Sequence, residues 1–275
     1  MSVGFLLLLV LTRASAVAAA DLDEIQDRGY LIVGIKDNSR PLGFRDSQNQ
    51  LQGFEIDLAR QLAVELLGDA AAIELKPLLN QDRIEALLNG EVDVLVARMS
   101  ITDARTRLVA FSRPYYVDGA AFITKDRTIQ SLRDLQQQTV AVLTGSDTIP
   151  TIRSLLPSVR LQGVETYAEA QRLLEQDQVS VFAADATVLT GWVQESPQYY
   201  LIPTLISAEA LAIAMPKGVQ YNKLQQQINA AVDRWLTNGW LRQRIAAWGL
   251  SIDGFPSYID SSPADTTIDT LPTVE

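Results

Sequence analysis

Cysteine and histidine are both missing from this 275-residue chain. Without Cys there is no disulfide, no thiolate nucleophile, no thiolate metal site and no Cys-linked lipid. Without His, the commonest general base near neutral pH and the commonest transition-metal ligand are gone, and enzyme readings lose ground. Positive charge is also scarce: 23 Lys and Arg stand against 33 Asp and Glu, a net charge of −10. That balance opposes nucleic acid or an anionic membrane as a partner, because phosphate recognition needs a basic surface. A small anionic ligand stays open, since it requires only a local positive pocket. What remains, 47% hydrophobic and 20% charged residues, suits a globular protein with a sizeable core.

Apolar runs long enough to approach a membrane span are absent outside the N-terminus. There, GFLLLLVL (4–11) is followed by AVAAA (16–20) and then by polar DLDE. A short apolar core with small residues before a polar start is the pattern of a secretory signal peptide over 1–20, cleaved after Ala18 or Ala20. No Lys or Arg precedes the apolar core, and a retained anchor is the alternative, although the run is short for a span. At the other end, 256–275 is polar, rich in Pro and Thr, and without apolar periodicity, which predicts a disordered tail.

Between these ends, apolar strands alternate with helical patterns. Strands are expected at 31–35, 72–77, 92–97, 120–125, 139–143, 179–184 and 210–216, and helices at 54–68, 82–90, 131–137, 167–177 and 221–249. The alternation predicts an α/β protein with parallel sheets covered by helices. DRIEALLNGEVDVLVARMS and the later AEAQRLLEQDQVSVFAADAT share one design of helix, turn, strand and polar strand end, which suggests two α/β lobes. Ligands of open α/β sheets bind beyond the C-terminal ends of the strands. The residues there are Lys36, then Arg98 with Ser100, then Ser146, Asp147 and Thr148, then Asp185. Each alone reads equally as an exposed loop residue, but four strand ends converge on one locus.

The segments LQGFEIDLARQLA (51–63), NGEVDVLVARMSITDARTRLVAFSRPYY (89–116), SLRDLQQQTVAVLTGS (131–146), VSVFAADATV (179–188) and WLTNGWLRQRIAAWG (235–249) carry a resemblance. The chain resembles the family 3 periplasmic solute-binding proteins, amino-acid receptors of ABC importers, from about Leu31 to Gly249. The resemblance implies a two-lobed clamshell, with 21–115 plus 210–255 as lobe 1 and 116–209 as lobe 2. Crossing strands near Tyr115–Gly119 and Leu205–Leu211 would join the lobes, and the cleft would close on its ligand. The partners implied are an amino-acid ligand and the permease subunits of a transporter, with the receptor a periplasmic monomer that binds no nucleic acid and needs no cofactor. Arg105, following the N-cap candidate Thr102, would grip the ligand's α-carboxylate with a planar fork that Lys cannot copy, helped by Ser100. Asp185 would hold the α-ammonium, and Ser146 with its neighbours would add contacts from lobe 2.

The stretch LIVGIKDNSRPLGF (31–44) departs from the common pattern of an Asp followed by an aromatic. Lys36, Ser39 and Leu42 stand in the acid and aromatic positions, which disfavours a cationic ligand. The pattern is closer to the glutamate/aspartate-binding branch, in which a base matching Lys36 and an Arg matching Arg83, in NQDRIEALLNG, receive the side-chain carboxylate. Asn80 adds a contact, and Tyr167 stands where that branch has His. Lys36 also reads as a solvated loop base and Arg83 as an intrahelical ion-pair partner. Arg98, where the family usually has Gly or Ser, has three readings open: pairing with Asp147 or Asp185, leaving the cleft, or touching the ligand. Arg40 is expected on the surface. A neutral, glutamine-type ligand is the alternative, and a dehydratase on the same scaffold is disfavoured by the absence of His.

Overall fold

A computed structural model of the protein describes residues 19–146 and 148–256, so the expected signal segment up to residue 18, the expected tail beyond 256 and Asp147 lie outside the described residues. Leu31–Ile35 is buried along nearly its whole length, as an apolar run must be when helices cover both faces of its sheet. In chain order come α1 (Leu22–Arg28), β1 (Leu31–Ile35), β2 (Asn38–Ser39), β3 (Gly43–Arg45), β4 (Leu51–Gln52) and α2 (Phe54–Leu67). They are followed by β5 (Ile73–Pro77), α3 (Arg83–Leu88), β6 (Val94–Val96), α4 (Asp103–Thr106) and β7 (Ala110–Asp118). The middle of the chain supplies β8 (Ala120–Thr124), β9 (Thr139–Leu143), α5 (Thr148–Leu155), β10 (Arg160–Val164), α6 (Tyr167–Glu175), β11 (Val181–Asp185), α7 (Ala186–Glu195) and β12 (Tyr200–Ile202). It then returns through β13 (Glu209–Met215), α8 (Asn222–Thr237) and α9 (Trp240–Ala247).

Two five-stranded sheets result, in the orders β5-β1-β6-β13-β7 and β10-β9-β11-β8-β12, beside a small β2-β3-β4 ribbon. In the first sheet β13 runs against its companions, and in the second β8 does, so both sheets are mostly parallel. Each is covered on both faces. Phe54, Ile56, Ile228 and Trp235 pack one face of the first sheet, and Leu87, Leu95 and Met99 the other. In the second, Phe182 and Leu189 lie on one side, Phe122, Val140 and Ile152 on the opposite side. This is the two-lobed α/β clamshell that the resemblance implied, and its mostly parallel, helix-covered sheets agree with the alternation of strands and helices.

Two expected helices differ. Residues 131–137 form successive turns closed by i→i+3 bonds, such as Asp134 N–H to the Ser131 carbonyl at 3.1 Å. The Asp134 carboxylate takes the N–H groups of Gln130 and Ser131, a local bond set that competes with helix. The long pattern at 221–249 breaks into α8 and α9 at Gly239, whose φ of +81° no helix interior permits. Strands β2, β3, β4, β10 and β12 and helices α1, α5 and α7 lie outside the expected elements, being short or weakly periodic, and of β7 only the crossing end near Tyr115–Gly119 was expected.

The two sheets are joined where β7 passes into β8 at Gly119 and where the chain returns through Ser207 to β13. Ala120 N–H donates to the Ser207 hydroxyl at 2.8 Å, and Ile206 N–H to the Ala120 carbonyl at 2.8 Å. A Cβ on Gly119 would collide with the Ser207 carbonyl oxygen. Gly119→Ala is therefore expected to lower stability by about 1–3 kcal/mol through forced separation of the crossing segments. Urea unfolding measures this, and unchanged stability would contradict the close approach.

Candidate functional site

Polar side chains collect where the parallel strands of the first sheet end. Lys36 follows β1; only 7% exposed, it donates its ammonium to Asn80 Oδ1 at 2.9 Å. Arg83 opens α3 and is equally buried. Its Nε donates to the Asn80 carbonyl at 3.1 Å, and its Nη1 to the carbonyls of Ala97 and, at 3.2 Å, Arg98. Arg105, in the short helix α4 capped by the Thr102 hydroxyl, donates Nη1 to Ser100 Oγ at 2.7 Å and to the Ser100 carbonyl at 3.0 Å. Burial, and after it Arg83, hold the Lys36 ammonium below its ordinary value, while burial and then Arg105 lower Arg83 to about 10. Cations so crowded repel one another, and an anion placed among them relieves that repulsion.

Arg98 takes the left-handed region, with φ of +49°, a conformation uncommon for a residue other than glycine. It is clamped there from both sides. Its N–H donates at 2.7 Å to Oε1 of the fully buried Glu55, which also accepts the Tyr115 hydroxyl. Its carbonyl is taken by Arg83. Burial pushes the Glu55 carboxyl up, against the opposing bonds from Tyr115 and Arg98.

With the backbone so held, the Arg98 side chain reaches the second sheet. Its Nη2 pairs with Asp185 at the end of β11, and its Nε lies 3.6 Å from Asp118 Oδ2. Asp118 is 1% exposed and is anchored by the Gly119 N–H at 2.9 Å, the Thr187 N–H at 3.2 Å and the Thr187 hydroxyl. Burial opposes the charge on Arg98, but Asp185 and Asp118 outweigh it and raise its pKa. Asp185 is itself pushed up by burial, with Arg98 acting in the other direction. It occupies the N-cap position of α7 yet makes no capping bond, because its carboxylate is turned to Arg98.

Three further contacts join the walls at the rim. Arg40 Nε lies 3.2 Å from Glu195 Oε1, and the Arg40 guanidinium also sits 3.7 Å over the Phe44 ring. Gln194 donates to the Trp248 carbonyl at 2.7 Å. Gly191 in α7 lies so close to the Arg40 carbonyl that a Cβ would collide with it. Between the walls is a cavity of about 310 Å³. Lys36, Asn38, Ser39, Arg40, Asn80 and Arg98 line one side, and Tyr167, Val188, Gly191, Trp192 and Glu195 the other.

Of the residues singled out in the sequence, Lys36, Asn80, Arg98 and Tyr167 meet around this cavity. Arg83, Ser100, Arg105, Asp185, Ser146 and Thr148 are not in its wall. Arg83 supports the Arg98 loop through Nη1, and Ser146 turns its hydroxyl to the Thr148 N–H at 3.2 Å. Arg40, expected on the surface, is a wall residue held by Glu195 and Phe44. Gly191, Trp192 and Glu195 went unnoticed because α7 did; two bases four residues apart after β1 were the available signal for Arg40. An aromatic wall is also present after all. It comes from the opposite side, where Trp192 stacks on Phe182 at 5.3 Å and meets Tyr167 edge-on at 6.2 Å.

Two sheets facing each other across a cavity lined by bases and aromatic rings define a cleft-type binding protein. Residues 31–251 match the bacterial extracellular solute-binding proteins, family 3, and the chain belongs to that family of binding proteins rather than enzymes. A glutamine-binding protein of Geobacillus stearothermophilus is 35% identical over 199 residues, 71% of this chain and 76% of its own length. The glutamate-binding protein GluB of Corynebacterium efficiens is 27% identical over 226 residues, 78% of this chain and 76% of its own. Among solved structures, an ancestral cationic amino acid solute-binding protein aligns with a TM-score of 0.70 at 29% identity, covering 82% of this chain and 98% of its own.

Glu55 makes the clamp testable. A carboxyl held above its ordinary value of 4.5 contributes stability that is complete below that pH and is lost as pH rises through the folded value. Glu55→Gln keeps an acceptor but cannot ionise, so it is expected to flatten that portion of a stability–pH curve from chemical unfolding. Equal slopes would show that Glu55 titrates normally. Glu55→Ala leaves two buried donors without a partner and is expected to cost about 3 kcal/mol in the same measurement.

Proposed function

We propose that the protein is the extracytoplasmic receptor of an ABC importer and that its ligand is an amino acid with an anionic side chain, glutamate or aspartate. One cation of the cavity carries this reading: Arg40 and Arg98 are paired with Glu195 and Asp185, whereas Lys36, buried in a chain of net charge −10, is hydrogen-bonded to the neutral Asn80 and has Arg83 close behind it. The ligand's side-chain carboxylate sits against Lys36 and Asn80. Each charge-assisted hydrogen bond contributes roughly 1.5–3 kcal/mol. Arg105 and Ser100 grip the α-carboxylate from lobe 1, taken as 21–115 plus 210–255, and Asp185 holds the α-ammonium from lobe 2, taken as 116–209. Ser146 and Thr148, with Asp147 between them, add contacts from lobe 2. Closing the lobes buries the ligand and presents the loaded form to a permease.

The family's extracellular location supports export, for which the N-terminal segment serves as the signal on this reading. Cleavage after Ala18 retains Ala19, whose carbonyl accepts the Tyr221 hydroxyl at 2.9 Å. The mature receptor acts as a monomer. A second reading, a neutral ligand such as glutamine, draws support from the glutamine-binding relative and from the Asn80 amide beside Lys36.

A thermal-shift screen over the natural amino acids separates these readings, because a ligand that binds only the native state raises the melting temperature. Glutamate or aspartate is expected to give the largest rise. A rise with lysine or arginine and none with the acidic amino acids would overturn the acidic reading. Lys36→Ala is expected to shrink the preference for glutamate over glutamine by about ten- to a hundredfold, with α-group recognition retained. An unchanged ratio in calorimetric titrations would remove Lys36 from the site.

A further inference from the structure

Asp185 is the carboxylate assigned above to the ligand's α-ammonium, yet Arg98 lines the cavity and Asp185 does not. The Arg98 guanidinium stands on it, in an ion pair that links the first sheet to the second. The chain thus provides its own cation at the place where the ligand would provide one. The pairing is built in: Glu55 holds the Arg98 N–H, Arg83 holds its carbonyl, and the backbone between them is left-handed. A side chain presented by so many buried bonds is aimed at its target rather than left to solvent.

Arg98 also has a second acid within reach. Its Nε is buried without a hydrogen-bond partner and lies 3.6 Å from Asp118, which is too long for a hydrogen bond and close enough for a small rotation to make one. Asp118 is fixed by three donors of its own and stays in place. Two carboxylates therefore face one guanidinium. When a ligand ammonium takes Asp185, Arg98 retains Asp118 as its counter-charge.

We infer that Arg98 is a specificity-determining residue that competes with the ligand's α-ammonium for Asp185, so that this cleft reads its ligand mainly through carboxylate and side-chain groups. The inference rests on the assignment of Asp185 to the α-ammonium and is independent of which side chain the pocket prefers. Small acids that match an amino acid in all but the amino group are accordingly ligands of the same site.

The test uses matched pairs in calorimetric titrations: glutamate against glutarate, and glutamine against glutaric acid monoamide. Each pair is measured on the full chain, on Arg98→Asn and Arg98→Gly, which both tolerate a positive φ, and on Arg98→Lys. In the natural protein, removing the amino group is expected to weaken binding by less than about tenfold. In the Asn and Gly variants the same removal is expected to cost at least about tenfold more, while Arg98→Lys stays near the natural ratio. A loss above about a hundredfold in the natural protein overturns the inference whatever the variants do. So does an unchanged or smaller ratio in the Asn and Gly variants when their melting curves show them folded. If glutamine outbinds glutamate, the acidic-ligand proposal fails, and the glutamine pair still decides the role of Arg98. Binding by no member of either pair overturns both.

Discussion

A single left-handed residue ties the two halves of this protein together at the centre of their cleft. Arg98 leaves β6 with its N–H on Glu55 and its carbonyl on Arg83, and from that fixed point its side chain crosses to Asp185 and Asp118. Burying a cation is tolerable only when it is paired and hydrogen-bonded. Arg98 meets the condition with two acids, Lys36 with Asn80, and Arg83 with three carbonyls. The positive charge of the cleft is thus held by a scaffold of specific partners within an otherwise acidic molecule.

Closure and chemistry are coupled through the same residues. The crossing segments at Gly119 and Ser207 lie beside Asp118, which is at once the end of β7 and a partner of Arg98. Helix α7 follows Asp185 directly and carries the rim contacts Gly191, Gln194 and Glu195 to Arg40 and Trp248. The Arg98 pair and the rim contacts therefore hold the same two walls together.

Much of this was legible in the sequence, and for physical reasons. Continuous apolar strands such as 31–35 and 139–143 need no tertiary information, and strand ends in an open α/β sheet carry the ligand groups, which pointed to Lys36 and Arg98. Resemblance carried the family. Positions whose role depends on a distant neighbour were hidden. Glu55 reads as a first-turn acid of a helix, and only folding shows it under the Arg98 loop, fully buried. Arg83 reads as a ligand group because its type and place fit one, and only folding shows that its Nε and Nη1 also support the Arg98 loop through backbone carbonyls. Arg40 and Glu195 are far apart in sequence, and no periodicity forecasts an ion pair across a cleft.

Whether the cationic cluster at the end of the first sheet receives an anionic side chain, as proposed, turns on where a bound ligand's carboxylates lie. A crystal structure of the protein grown with L-glutamate tests it most directly. The expected result is the glutamate side-chain carboxylate within about 3 Å of Lys36 Nζ, inside the closed cleft. Glutamate bound with its side chain turned away from Lys36, or a cleft that excludes glutamate while admitting a cationic amino acid, would contradict it.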